Sequence, residues 1–393
     1  MSATRPRRLA EIDHLRAIAI VTVLFVHVSS GFASRGPVSL TVLYFDMLMD
    51  TLAHYAIPLF TLVSGFSLAL GYYAPLDVRR FYTKRLLRTV PPFLLFSVLY
   101  TLGPLLRGEI GLARALLNLF TGRAEYHLYF FVVIIPLYLL YPLLVRLHQR
   151  TAGRHLRVLA ALALLQTVWW ALSLIVSYRD VVTVAGHALR GGALGLLQFM
   201  VKRAFVMYLF YFYLGICCAR AWPELKPRLL AWGRAWWRPA LLGLAIVGLI
   251  SYLFAVRFDL LQPPQLLAFA VQAVVELCIY TAAIYLLYLL ANAVAQRPTF
   301  WSALGLQLSR MSMGIYLVHV AVQRMVDWAL SALNLMPPTL VAYRYALLVT
   351  LTVTVLVVQA LSHLPGAQLW LGVGPARLDL TQAACEGSEE GSA

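Results

Sequence analysis

The chain has 393 residues, 61% of them hydrophobic and only 12% charged. A soluble globular chain is about 45–50% apolar and about 25% charged, so this composition excludes an ordinary soluble domain. The formal net charge of +16 is spread over short basic clusters between apolar runs, as the positive-inside rule produces, and this argues against a nucleic-acid partner.

A membrane-spanning helix needs about 20 mostly apolar residues. Ten stretches qualify, at roughly 12–32, 52–72, 88–106, 128–147, 156–178, 203–220, 239–257, 266–291, 304–325 and 342–362. No segment alternates like a barrel strand and no internal repeat is visible. The expected fold is therefore all-α: a polytopic membrane protein of about ten spans, with one membrane domain over residues 1–375. The polar tail, 376–393, has the composition of a disordered segment.

The first span carries the most informative residues. It begins after a basic N-terminus, as a signal peptide does, but it is too long and has His27 in its middle, so it reads as a retained anchor. Asp13, His14, Arg16 and His27 all lie in or beside it. An ionisable group in lipid loses its hydration, so such residues are functional candidates by default. Arg16 and His27 are eleven residues apart, close to three helical turns. They share one helix face, separated by roughly 16 Å along the axis.

Later spans add fewer marks. Pro58, Pro91, Pro92, Pro136 and Pro142 fall in or at the ends of spans, which membrane helices tolerate where neighbours satisfy the freed backbone groups. The basic stretch before the third span holds Arg85 and Arg88, three apart and therefore on one side of a helix. Arginine forks bind phosphate; ordinary juxtamembrane anchoring is the plainer reading. Glu125 and His127 open the fourth span, Glu276 lies within the eighth, and His319 lies within the ninth.

The basic residues also orient the chain. With the N-terminus in the cytoplasm, nineteen of the 32 Lys and Arg fall in inside segments and ten in outside segments, so both termini are expected inside. His27, His54, His127 and His319 then occupy similar outer depths. The outside loops near 107–127 and 179–202 are where an acceptor would dock. His14 falls on a different face of the first helix from Arg16. A single His at a helix end is commonly an interfacial residue, which is the alternative for His54 and His127. The four cysteines, Cys217, Cys218, Cys278 and Cys385, have no metal-ligand or disulfide spacing, so neither a metal site nor a bound cofactor is expected.

Several motifs in order carry a family resemblance. They are Arg16 and His27 in the first helix; Pro58-Leu59-Phe60 leading to Ser64-Gly65-Phe66; Arg85-x-x-Arg88 before Pro91; His127-Leu128-Tyr129-Phe130, with Tyr129 where Trp is commoner; and Ser312 through Gly314-Ile315-Tyr316-Leu317-Val318-His319. Over about residues 9–365 the chain resembles the acyltransferase-3 family of integral membrane O-acyltransferases. The resemblance implies transfer of an acyl group, usually acetyl, from cytoplasmic acyl-CoA to a hydroxyl of an extracytoplasmic carbohydrate or lipid-linked acceptor. It also implies that Arg16 and His27 are required. The expected location is a cell membrane, namely a bacterial cytoplasmic membrane, with the bilayer, acyl-CoA and the acceptor as partners.

The chemistry suits these residues. Imidazole titrates near neutral pH, so His27 can take a hydroxyl proton as general base or carry the acyl group itself. Arg85 and Arg88 are candidates for CoA phosphates, with Arg16 at the mouth of the path to His27. His127, Glu125 and His319 complete the expected substrate-binding set. Intramembrane charges and broken helices also suit an exporter of a glycan or lipid-linked sugar, the competing reading. No role follows from sequence for Glu276, His14 or His54.

Overall fold

Lipid offers no hydrogen bonds, so an apolar chain that enters it satisfies its backbone by coiling into helices. The computed structural model describes residues 9–33, 54–73, 75–177, 182–184, 187–189, 191–256, 265–297, 299–333, 335 and 340–374. In chain order the helices are α1 (Ala10–Ala33), α2 (Ala56–Gly71), α3 (Val78–Leu106), α4 (Leu112–Thr121), α5 (Tyr129–Arg150), α6 (His155–Ser177), α7 (Gly191–Lys202), α8 (Leu209–Arg220), α9 (Trp222–Val256), α10 (Gln265–Ala295), α11 (Phe300–Ala332), α12 (Leu340–Ser362) and the short α13 (Ala367–Trp370). Single 3₁₀ turns, Tyr126–Leu128 and Phe205–Tyr208, lead into α5 and α8. Two three-residue strands, Val182–Val184 and His187–Leu189, pair antiparallel between α6 and α7.

Each of the ten expected spans falls on helix, and seven segments are long and apolar enough to cross a membrane. One of the seven, Gly192–Arg220, starts earlier than the expected span at 203, because α7 and the turn after it continue into α8. Of the others, α2 is a shorter apolar helix of 16 residues. The interior of α11 holds Arg310 and Arg324, and both α9 and α11 fall outside the seven. The tail over 376–393 lies outside the described residues, as do Cys385 and part of the loop 179–202.

The expected outer loop 107–127 also contains structure. Gly111 precedes α4, and Gly122 ends it in the left-handed conformation at φ 68°. On α4, Ala115 and Asn118 are buried while Leu112, Leu116, Leu117 and Phe120 are exposed. An apolar outer face on a short helix suits the headgroup boundary of a bilayer. The exposed Val98, Leu102 and Leu106, four residues apart on α3, form a stripe of the same kind; in water it would be an association hazard, and in lipid it is the expected surface. At the exposed turn after α3, the Arg107 guanidinium forks onto Glu109, and that hydrogen bond holds the Glu109 carboxyl below its usual range.

The chain gathers into two compact units. One comprises Met1–Val63, Lys226–Tyr252 and Ala282–Ala393. Its centre is α11, which packs against both α1 and α12, and α1 also touches α12. Val28 packs with Ala342, Tyr343 and Ala346, and the Phe25 ring meets Tyr343 edge-on at 5.8 Å. Gly314 lets α12 approach: a Cβ there would lie 2.8 Å from Val358 and 3.1 Å from Leu371.

The other unit comprises Ser64–Leu225 and Leu253–Thr281. There α3 packs on α4 and α5, α6 on α7 and α8, and α5 on α8. Aromatic contacts fill it: Phe81 stacks on Tyr141 at 4.9 Å and Phe93 on Phe131 at 5.1 Å. The Tyr141 hydroxyl donates to the Tyr72 carbonyl at 2.5 Å. Gly65 faces the backbone carbonyl of Phe212 so closely that any Cβ would collide with it.

Candidate active site

The site begins as a pattern on α11. Ser302, Ser309, Tyr316 and Gln323 recur every seven residues. Seven residues turn a straight helix by about 700°, so these four stay within a narrow stripe that drifts by about 20° per step. That stripe is turned toward α1. Ser302 Oγ lies 3.2 Å from His14 Nε2. Ser309 Oγ donates to Asp13 Oδ1 at 2.8 Å. Gln323 Nε2 donates to the His27 carbonyl at 3.0 Å. The two serines meet the start of α1 and Gln323, further along α11, meets His27, so α1 and α11 run parallel. Gly305 makes the approach possible, since a Cβ there would run into the His14 ring.

Arg16 is held by this seam. Its Nη1 donates to Asp13 Oδ1 at 3.1 Å and reaches Ser309 Oγ at 3.5 Å. Asp13, Arg16 and Ser309 therefore close a triangle, with a side-chain exposure of 27% for Arg16 and 12% for Asp13. Opposite charges in contact lower the cost of placing either in lipid. One turn earlier, Glu11 accepts an ion pair from Lys226 on α9 at 2.8 Å.

His27 is half-buried, and its ring stacks on that of His319 with centroids 5.2 Å apart and planes 19° from parallel. His319 is fully buried. Its Nδ1 lies 2.8 Å from the Tyr316 carbonyl and 3.2 Å from the Ile315 carbonyl. A carbonyl only accepts, so Nδ1 carries a proton and donates to the main chain. His54, exposed just ahead of α2, is within electrostatic reach of His27. Of the four histidines expected at one depth, His27 and His319 are in contact and His54 is nearby.

The remaining expected site residues lie in the other unit. Arg85 is half-buried with its guanidinium 5.2 Å from the Tyr72 ring centroid, whereas Arg88 is exposed. The two were expected to face the same way. A three-residue step still turns by about 60° from full register, enough to send one into aromatic packing and leave the other at the surface. His127 is fully buried in its 3₁₀ turn, with the Tyr100 ring edge-on at 5.3 Å. Glu125 caps that turn, accepting from the Tyr126 N–H at 3.2 Å. Glu276 is met within its own helix by Gln272 Nε2 at 3.0 Å and the Tyr280 hydroxyl at 3.2 Å.

Sequence reasoning missed the partners of the key residues. The Asp13–Arg16 spacing of three was a readable signal, as was the seven-residue spacing of Ser302, Ser309 and Gln323. A parallel helix pair joined by hydroxyl, carboxylate and amide contacts presents two adjacent imidazoles, with a paired arginine about three turns away. Such a seam can take a proton from a hydroxyl, return it to a leaving group, or carry an acyl group on nitrogen. The acyltransferase-3 profile, described as an acyltransferase domain, matches residues 9–360. No curated protein and no solved structure matches the chain.

Proposed function

The chain belongs to the acyltransferase-3 family and is a membrane acyltransferase, and from that premise we propose that it moves an acyl group, usually acetyl, from acyl-CoA to a hydroxyl of a carbohydrate or lipid-linked acceptor. The observation that carries this reading is the stacked His27–His319 pair in the α1–α11 seam, in line with Arg16. A sugar hydroxyl is a weak nucleophile at neutral pH. His27 takes its proton as the oxygen attacks the thioester carbonyl. The carbon–sulfur bond then breaks, and the imidazolium returns the proton to the CoA thiolate. An ester and free CoA leave. A covalent acyl-His27 intermediate is the alternative route, with water excluded until the acceptor arrives. General base catalysis of this kind contributes roughly 10²–10⁴-fold.

Arg85 and Arg88 are our candidates for the CoA phosphates, because a guanidinium fork matches phosphate oxygens. Their placement in the basic first turns of α3 fits a donor arriving from the cytoplasm, with both chain termini on that side of a bacterial cytoplasmic membrane. His127 and Glu125 are candidates for the acceptor side. The test uses membranes holding wild type or His27→Ala at matched levels, labelled acetyl-CoA, and counting of label in glycan and lipid fractions. Label that depends on His27 supports the reading, and the labelled fraction names the acceptor class. Equal label from both overturns the assignment to His27, and no label with acetyl-CoA or longer acyl-CoAs while acceptor is present overturns the reading in favour of glycan export.

A further inference from the structure

A second cluster of reactive side chains lies apart in sequence from everything used above. His148 sits in the last turn of α5, His155 opens α6 after a four-residue turn, and Cys217 sits in the last turn of α8. Their ligand atoms all lie within 4.8 Å of one another, with His148 buried and the other two half-buried. The imidazoles stack at 4.0 Å between centroids, 16° from parallel. We propose that His148, His155 and Cys217 bind one divalent ion of the zinc class.

Three arguments support it. The first is distance. Zinc bonds of about 2.0–2.3 Å in a tetrahedral shell put neighbouring donors about 3.5 Å apart, so donors within 4.8 Å of one another close on one ion once the stacked rings swing out of parallel to aim a nitrogen each at it. The second is the donor set. Two imidazoles and a thiolate suit zinc and are poor ligands for magnesium or calcium, which take oxygen. The thiol loses its proton on binding and supplies a negative charge. That charge matters here, because the Arg220 guanidinium lies only 4.2 Å from the Tyr73 ring beside the cluster. The carbonyl ends of α5 and α8 also favour a cation, and outnumber the single N-terminus of α6.

The third argument is the orienting partner. The Tyr73 hydroxyl lies 2.7 Å from His148 Nδ1. Metal-bound histidines use their second nitrogen in this way, which fixes the ring and leaves Nε2 for the ion. Three protein ligands leave a fourth position for water or another donor. The ion would tie the α5–α6 turn to the end of α8, in addition to the packing of α8 on α5 and α6. The spacing hid it: two histidines seven apart across a turn and a cysteine far along the chain match no ligand motif.

The test uses the full-length protein in detergent, stripped with chelator and then dialysed against zinc sulfate alone. Wild type is expected to retain about one zinc per chain, and the His155→Ala/Cys217→Ser double variant none above background. Cobalt(II) in place of zinc is expected to give a thiolate-to-metal charge-transfer absorption with wild type that is absent with Cys217→Ser. Tyr73→Phe is expected to weaken zinc binding about 10-fold or more while leaving all three ligands in place. Equal zinc in wild type and the double variant overturns the proposal, and so does cobalt binding to wild type without the thiolate absorption. Either result reduces the cluster to a packing contact.

Discussion

Among the described residues two histidine pairs stack, in different surroundings. His27 and His319 meet at 5.2 Å between the parallel helices α1 and α11. His148 and His155 meet at 4.0 Å across a short turn at helix ends. What surrounds each pair distinguishes them. His319 gives its Nδ1 proton to main-chain carbonyls, which fixes the tautomer but brings no charge. His148 has a tyrosine hydroxyl at Nδ1 and shares its cluster with a thiol. An imidazole fixed by main-chain carbonyls beside a second imidazole suits proton transfer. Two lone pairs with a thiol within reach suit an ion. Histidine chemistry in this fold is decided by the next atom out.

Variants that break this contrast have effects in a definite order. The largest follows loss of the base. His27→Ala lowers acyl transfer by roughly 10²-fold or more, whereas His155→Ala leaves transfer at the wild-type level, read as product formed per unit of folded protein. Next comes Arg16→Ala, which leaves Asp13 with the Ser309 hydroxyl but no cation and destabilises the membrane domain by up to about 3 kcal/mol, the low end for a broken buried pair. The double variant Asp13→Asn/Arg16→Gln recovers much of that stability without recovering transfer. Thermal melting beside the transfer assay separates the two effects. A single variant and a double variant that melt alike would show that the pairing carries no stability.

A smaller effect tests the seam itself. Ser309→Ala removes the 2.8 Å interhelical hydrogen bond to Asp13 and the longer one from Arg16, and costs about 0.6–1.7 kcal/mol, the range found for such bonds in membranes. Because Arg16 and Asp13 remain paired, transfer falls less than for either histidine or arginine variant. A melting point equal to wild type would place the α1–α11 association in apolar contacts instead. Gly305→Ala provides the opposite perturbation, forcing a methyl into the His14 ring; repacking it is expected to cost about 1–3 kcal/mol.

Much of this architecture was legible before any coordinates. Apolar length alone placed helices at all ten expected positions, because lipid forces the backbone to satisfy itself. The Arg16–His27 face followed from helical geometry and their spacing. The contact between His27 and His319 did not follow, since no property of either residue says that α1 and α11 are neighbours. The repeat of Ser302, Ser309 and Gln323 marks a polar stripe but not its partner. Glycines in two family-like motifs also have a plain physical meaning: Gly65 and Gly314 stand where a side chain would strike Phe212 or Val358. The Arg85–Arg88 pair was only half legible, because spacing gives a common side but not the aromatic ring that claims one of them.

The central claim is that His27, in the seam with His319, performs the acyl transfer. Its most direct test is a single-turnover assay with purified protein, comparing wild type with His27→Gln, which keeps a polar side chain of similar reach but no titratable base. Labelled acyl-CoA and acceptor are mixed, and product is followed over time alongside a melting curve. The account predicts an unchanged melt and transfer slowed by roughly 10²-fold or more. Transfer within a few-fold of wild type, with the same melt, would contradict it and move the chemistry away from this pair.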